Sequence, residues 1–173
     1  MKIGIIGAGR VGCACALAAV VRGSARTIVI VDRTRRRAKA VAADLRYGSP
    51  LCPKTTVADG DYEDLADAEL VMITAGINEK AGGAIDRSDR RGRLRLLDTN
   101  AEIYSDIVPR VVRAAPRAVI LVITDPPDPL VDVVRTRRVM IACWALAPFS
   151  IACVSVCIWR SISTSMPSKW RLR

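Results

Sequence analysis

The sequence predicts an α/β fold on a doubly wound parallel sheet, and three observations carry that prediction. Four apolar runs, Lys2 to Ile6, Thr27 to Asp32, Glu69 to Gly76 and Ala118 to Asp125, are interleaved with segments of helical character. Runs without polar alternation are buried on both faces, which strands achieve in a parallel sheet covered by helices. The first run passes straight into a glycine-rich turn, Gly7-Ala8-Gly9-Arg10-Val11-Gly12. At 173 residues, with no internal repeat or low-complexity linker, the chain has room for one domain and a short appendage.

In chain order, Lys2 to Ile6 reads as a strand. The glycine turn follows, and then the Ala-rich stretch Cys13 to Val21 has the makeup of a packed helix. Thr27 to Asp32 is a second strand. Arg33 to Gly48 is a helix whose apolar positions Ala38, Val41, Ala42 and Leu45 recur at helical spacing. Glu69 to Gly76 and Ala118 to Asp125 are two further buried strands, joined by a helix over Leu94 to Ala115.

The turn is where chemistry enters. Gly7 permits a tight turn, Gly9 lets the backbone approach a pyrophosphate, and Gly12 allows close packing of helix on strand. Arg10 and Val11 open the helix, whose unpaired N–H groups face the anion. Glycines in this spacing alone are weak evidence, and an ordinary turn binding FAD, another nucleotide or nothing has the same look. Here the turn follows a strand, opens a helix, and Asp32 ends the next strand twenty residues beyond Gly12. A carboxylate there accepts hydrogen bonds from the adenosine ribose. The expectation is a Rossmann-type sheet binding NAD. Asp32 favours NAD over NADP because it would repel a 2′-phosphate, while Arg33 beside it leaves that preference open.

Later motifs narrow the family. Asp44 to Gly48 (DLRYG), Val71 to Gly76 (VMITAG), Gly92 to Ile103 (GRLRLLDTNAEI), Ile107 to Pro116 (IVPRVVRAAP) and Val122 to Asp128 (VITDPPD) stand in the order and approximate spacing of the lactate/malate dehydrogenase family, which the chain resembles from Met1 to about Arg135. The resemblance implies that Gly7, Gly9, Gly12 and Asp32 form the cofactor loop and ribose carboxylate, that Thr74, Ala75 and Gly76 lie beside the cofactor, and that Asn100 touches NAD. It makes Arg93 the mobile-loop arginine that closes over the substrate and polarises its carbonyl, with Arg87, Arg90, Arg91 and Arg95 as neighbouring alternatives. A guanidinium that arrives as water leaves suits that electrostatic role.

The departures matter as much. The family's loop usually places its arginine soon after K-P-G, whereas Glu79 to Arg93 is several residues longer. Glu79 sits where a lactate enzyme tends to carry Gln and a malate enzyme Arg, and a carboxylate there disfavours a dicarboxylate substrate. Asp125 replaces an Asn, and an ionised carboxylate cannot donate. The chain has no histidine, yet hydride transfer to a 2-oxo acid in the family needs one as proton donor. The expected organisation is an NAD-binding domain over 1–135, an atypical tail over 136–173, and no catalytic second domain. Full-length relatives are expected to act on small 2-hydroxy or 2-oxo acids and to be homo-oligomers.

The tail breaks character. Residues up to Arg135 carry 21 Lys+Arg against 17 Asp+Glu, so the tail supplies six of the ten net positive charges. Met140 to Trp159 has no charged side chain, and twenty residues at helical rise suffice for a bilayer core of about 30 Å. A sixth strand is a second reading, and an out-of-frame origin is the preferred one. With codons restarted on each third base, Met140-Ile141 forces Asp, Cys143-Trp144 forces Leu and Trp144-Ala145 forces Gly. Permitted codons then give Asp-Arg-Val-Leu-Gly-Thr-Gly-Thr-Phe-Leu-Asp-Ser-Leu-Arg, which resembles the family's continuation, including the aspartate partner of the histidine and the carboxylate-binding arginine. An irregular apolar tail is therefore expected, with a membrane-anchored, non-catalytic NAD-binding module as the alternative. No nucleic-acid role is expected, because the arginines are scattered and not interleaved with aromatics. No metal site is expected either: Cys13, Cys15 and Cys52 lack ligand spacing. The opening residues lack the charged leader and apolar run of a secretory signal, so a cytoplasmic location is expected.

Overall fold

Five short segments, four of them the apolar runs, pair in parallel in the computed structural model, which describes residues 1–48, 50, 52, 54–78 and 94–135. The strands are β1 (Lys2–Ile6), β2 (Thr27–Val31), β3 (Thr56–Asp59), β4 (Leu70–Ile73) and β5 (Val119–Val122). They lie in the order β3-β2-β1-β4-β5. Ile5 stands between Ile30 on β2 and Met72 on β4.

The helices are α1 (Arg10–Val21), α2 (Arg35–Gly48), α3 (Arg95–Ala114) and α4 (Pro127–Arg135). Because side chains alternate along a strand, the sheet feeds two separate cores. Ile3, Ile5, Ile28, Ile30 and Met72 pack with Ala16, Ala19 and Val20 of α1 and Ala38, Ala42 and Leu45 of α2. Ile6, Val29, Val31, Val71 and Ile73 pack with Tyr104, Val108 and Val111 of α3 and Leu130 and Val134 of α4. This is the doubly wound architecture expected from the uninterrupted apolar runs.

The differences from expectation are local. The second helix starts at Arg35 and not Arg33, because the Asp32 carboxylate takes the Thr34 N–H at 2.8 Å and turns the chain before the helix begins. The strand at Thr56–Asp59 and the 3-10 turn at Glu63–Leu65 were not anticipated: β3 is a four-residue edge strand with only Val57 fully buried. Nor was α4, whose sequence PPDPLVDVVR looks helix-breaking. Its Pro127 and Pro129 fall in the first turn, where backbone N–H groups have no intrahelical acceptor to lose. The loop carrying Glu79 and Arg93, the suggested sixth strand and the tail over 136–173 lie outside the described residues.

Candidate functional site

The chain winds outward from β1 to β3 on one side, then crosses back to place β4 on the other side of β1. Between β1 and β4 the connections leave in opposite directions, which opens a crevice at the carboxyl ends of these strands. The loop after β1 and the segment after β4 both end there.

The loop is held almost entirely by backbone. Gly7 has φ +104°, a conformation side chains rarely adopt. Its N–H donates to Val31 O at 2.8 Å, and the Ala8 N–H donates to Asp32 Oδ2 at 2.7 Å, tying the turn to the end of β2. A Cβ at Gly12 would lie 1.8 Å from Gly7 O, so only glycine lets α1 start this close to β1. At Gly9 the reverse holds: a Cβ would meet nothing within 4 Å, leaving open space over the loop. Gly9 also serves as the N-cap of α1 without a side-chain cap. The exposed Arg10 and Val11 begin the helix above that space, and their N–H groups lie at the end where a helix favours an anion. A loop with an open glycine, an uncapped helix start and a carboxylate at the next strand end fits the pyrophosphate and adenosine of a dinucleotide.

The β4 side is held by side chains. The Thr74 hydroxyl lies 3.1 Å from Ile6 O and 3.0 Å from Gly7 O, so its single proton serves one or the other and closes β4 against the loop. The Thr124 hydroxyl donates to Ala75 O at 2.9 Å. Gly76 packs so tightly that a Cβ would sit 2.3 Å from Thr124 Cγ2 and 2.9 Å from Asn100 Oδ1. Asn100 is fully buried; its Oδ1 accepts from Ile77 N at 2.8 Å and its Nδ2 donates to Asp125 O at 2.9 Å. The amide therefore joins the segments after β4 and β5. Tyr104, also fully buried, directs its hydroxyl to Ile73 O at 3.3 Å, and burial pushes its phenol above the ordinary range.

Of the residues singled out from the sequence, Gly7, Gly9, Arg10, Val11, Gly12, Asp32, Thr74, Ala75 and Gly76 are brought to this one crevice, Asn100 is placed beneath it, and Arg93 lies outside the described residues. Thr124 and Tyr104 were missed. A threonine or tyrosine inside an apolar run gives little sign in sequence that it bonds a carbonyl 31 or more residues away. Also missed was an edge cluster in which Arg35 pairs with Asp59 at 2.9 Å and with Asp61, holding the Asp59 carboxyl below the usual range. Nearby, the Arg110 guanidinium sits 5.4 Å over the Tyr62 ring. Cys15 is buried and its thiol is pushed up to about 11 by desolvation, which suits packing and not reactivity. Among the described residues no three His, Cys, Asp or Glu side chains are grouped to hold a metal, and no helix is long and apolar enough to cross a membrane.

Comparison with known proteins agrees with this geometry. The family model described as lactate/malate dehydrogenase, NAD binding domain, matches residues 1–142. An L-lactate dehydrogenase of Deinococcus radiodurans is 44% identical over 132 residues, covering 76% of this chain and 41% of that protein. One from Chloroherpeton thalassium is 47% identical over 128 residues, covering 74% and 39%. Among solved structures, a lactate dehydrogenase enzyme from a Medee basin deep-sea metagenome library superposes with TM-score 0.67 at 34% identity, over 78% of this chain and 41% of that one. The minor L-lactate dehydrogenase of Enterococcus mundtii gives 0.68 at 32% identity, over 78% and 41%. The chain thus spans about two fifths of the length of the relatives it matches.

Proposed function

We propose, from the premise that this chain belongs to the lactate/malate dehydrogenase family through its NAD-binding domain, that residues 1–135 bind NAD in the β1/β4 crevice and that the chain alone performs no hydride transfer. The observation that carries the binding half is the loop itself: Gly9 open, Gly12 closed to any side chain, and Asp32 at the end of β2 bonded back to Ala8. When bound, the cofactor supplies the hydride. The residues of the chain do the rest: backbone N–H groups at Gly9 to Val11 receive the pyrophosphate, Asp32 orients the ribose through its remaining lone pairs, and Thr74 to Gly76 form the wall toward the nicotinamide end. Asn100 acts as a positioning residue, holding Ile77 and Asp125 in place below that wall.

Inactivity follows from the chemistry the family resemblance requires. A 2-oxo acid becoming an alcohol must take a proton, and this chain has no imidazole to supply one. Its full-length counterpart is read as an oxidoreductase for a small 2-hydroxy/2-oxo acid, with lactate and pyruvate favoured by the matched L-lactate dehydrogenases and the dicarboxylate malate disfavoured by Glu79. Arg93 is assigned there to polarising the substrate carbonyl. A homo-oligomeric, cytoplasmic enzyme is the corresponding whole.

Titration of the purified chain with NADH, followed by nucleotide fluorescence, tests binding; the expected result is saturable binding without pyruvate- or oxaloacetate-dependent NADH oxidation. Turnover by pure protein would refute the inactivity. Sequencing the coding DNA from codon 130 onward tests the tail: an open shifted frame encoding a histidine makes 136–173 an out-of-frame product. One observation favours a second reading, the twenty uncharged residues Met140 to Trp159. If the present frame stands and the expressed protein stays in membranes through carbonate washing, the chain is a membrane-held NAD-binding module.

A further inference from the structure

The residues that follow β2 carry a charge balance that the NAD-binding reading does not use. From position 32 to 37 the chain reads Asp-Arg-Thr-Arg-Arg-Arg, one acid against four arginines. Both oxygens of Asp32 are engaged by backbone: Oδ2 by Ala8 N at 2.7 Å and Oδ1 by Thr34 N at 2.8 Å. The carboxylate is thereby held against the loop and the turn into α2, and Arg33 is an exposed residue of that turn. Arg35 is neutralised by Asp59 and Asp61. Arg33, Arg36 and Arg37 are exposed, and none has a carboxylate partner among the described residues. Arg33, next to Asp32 in sequence, is thus an exposed guanidinium with no carboxylate partner among the described residues, and the exposed Thr34 adds a neutral hydroxyl.

A guanidinium binds phosphate through paired N–H donors and stays charged at any working pH. We propose that the ribose end of this site accepts a 2′-phosphate, so that the chain binds NADP(H) as well as NAD(H), with Arg33 as the residue that sets the balance. The inference rests on the NAD-binding reading above and names a wider ligand class for the same crevice. Asp32 repels the added phosphate, and Arg33 in the same turn offsets that repulsion. Arg36 and Arg37 raise the local potential without choosing between the two dinucleotides. Arginines that only solvate the surface of α2 would strengthen both dinucleotides alike, which separates the two roles.

The test is parallel fluorescence titration of the full chain with NADPH and NADH, repeated on Arg33→Gln. Wild type is expected to bind NADPH within about ten-fold of NADH. Arg33→Gln is expected to weaken NADPH by about ten-fold or more and NADH by less than about two-fold, with the NADPH loss shrinking as salt rises. NADPH binding about a hundred-fold weaker than NADH in wild type overturns the proposal, as do equal losses for both nucleotides in the variant. Those outcomes leave the NAD-binding reading intact. Binding of neither dinucleotide removes that reading and this inference together.

Discussion

The two walls of the crevice are built by different means. On the β1 side, the turn from Gly7 to Gly12 is shaped by the absence of side chains and bonded mainly through main-chain groups, with Asp32 anchoring it to β2 and the Thr74 hydroxyl reaching it from the opposite wall. On the β4 side, Thr74, Asn100, Tyr104 and Thr124 shape the backbone through side-chain hydrogen bonds, three of them reaching across 31 to 68 residues of sequence. The difference teaches where each wall is vulnerable. A wall made of missing side chains fails when atoms are added, whereas a wall made of buried polar side chains fails when atoms are removed.

Adding atoms at Gly12 should break the comparison hardest. Gly12→Val drives a Cβ into Gly7 O, and a loss of about 3 kcal/mol or more is expected, read as a fall in the urea midpoint or as insoluble protein. Removing atoms at Asn100 comes next. Asn100→Leu takes away the acceptor of Ile77 N and a donor to Asp125 O; a destabilisation of about 2 to 4 kcal/mol is expected for the two bonds in a buried place. Thr124→Val keeps the shape but loses the bond to Ala75 O, and about 1 kcal/mol is expected by the same measurement.

Gly9→Ala sharpens the contrast from the other side. Its Cβ enters open space, so the urea midpoint should hold while NADH binding weakens by about ten-fold. A loss of stability with unchanged binding would mean that the space over the loop is not where the cofactor lies. The smallest effect is expected at the edge of the sheet, where Arg35 lowers the pKa of Asp59. A carboxyl with a depressed folded pKa contributes stability above its unfolded value, and that contribution disappears as pH falls through the folded one. Arg35→Gln should therefore narrow the drop in melting temperature on acidification below the usual carboxylate range, and leave the profile above it parallel to wild type.

The β1 wall was legible from composition and spacing because its requirements are local. A glycine at φ +104°, another facing a carbonyl and a carboxylate at the next strand end all sit within the first 32 residues. The β4 wall was legible only in part. The segment Thr74 to Gly76 and Asn100 stood out through family resemblance, but the bridge that the Asn100 amide makes between Ile77 and Asp125 had no sign in the sequence. The edge strand β3 and helix α4 escaped for local reasons as well: one is too short to show periodicity, and the other hides its prolines in a first turn that tolerates them.

By itself the sequence determined the fold class, the order of the main strands and helices, the glycine turn after β1 and the family, because each depends on short-range pattern: uninterrupted apolar runs, helical spacing and glycines at set intervals. It also determined that these 173 residues contain no histidine. Only the tertiary structure decided the strand order β3-β2-β1-β4-β5, the opening between β1 and β4, the engagement of both Asp32 oxygens and the pairing of Arg35 with two aspartates. Those depend on which distant backbone groups the packed sheet brings within about 3 Å of one another, a distance that no spacing along the chain encodes.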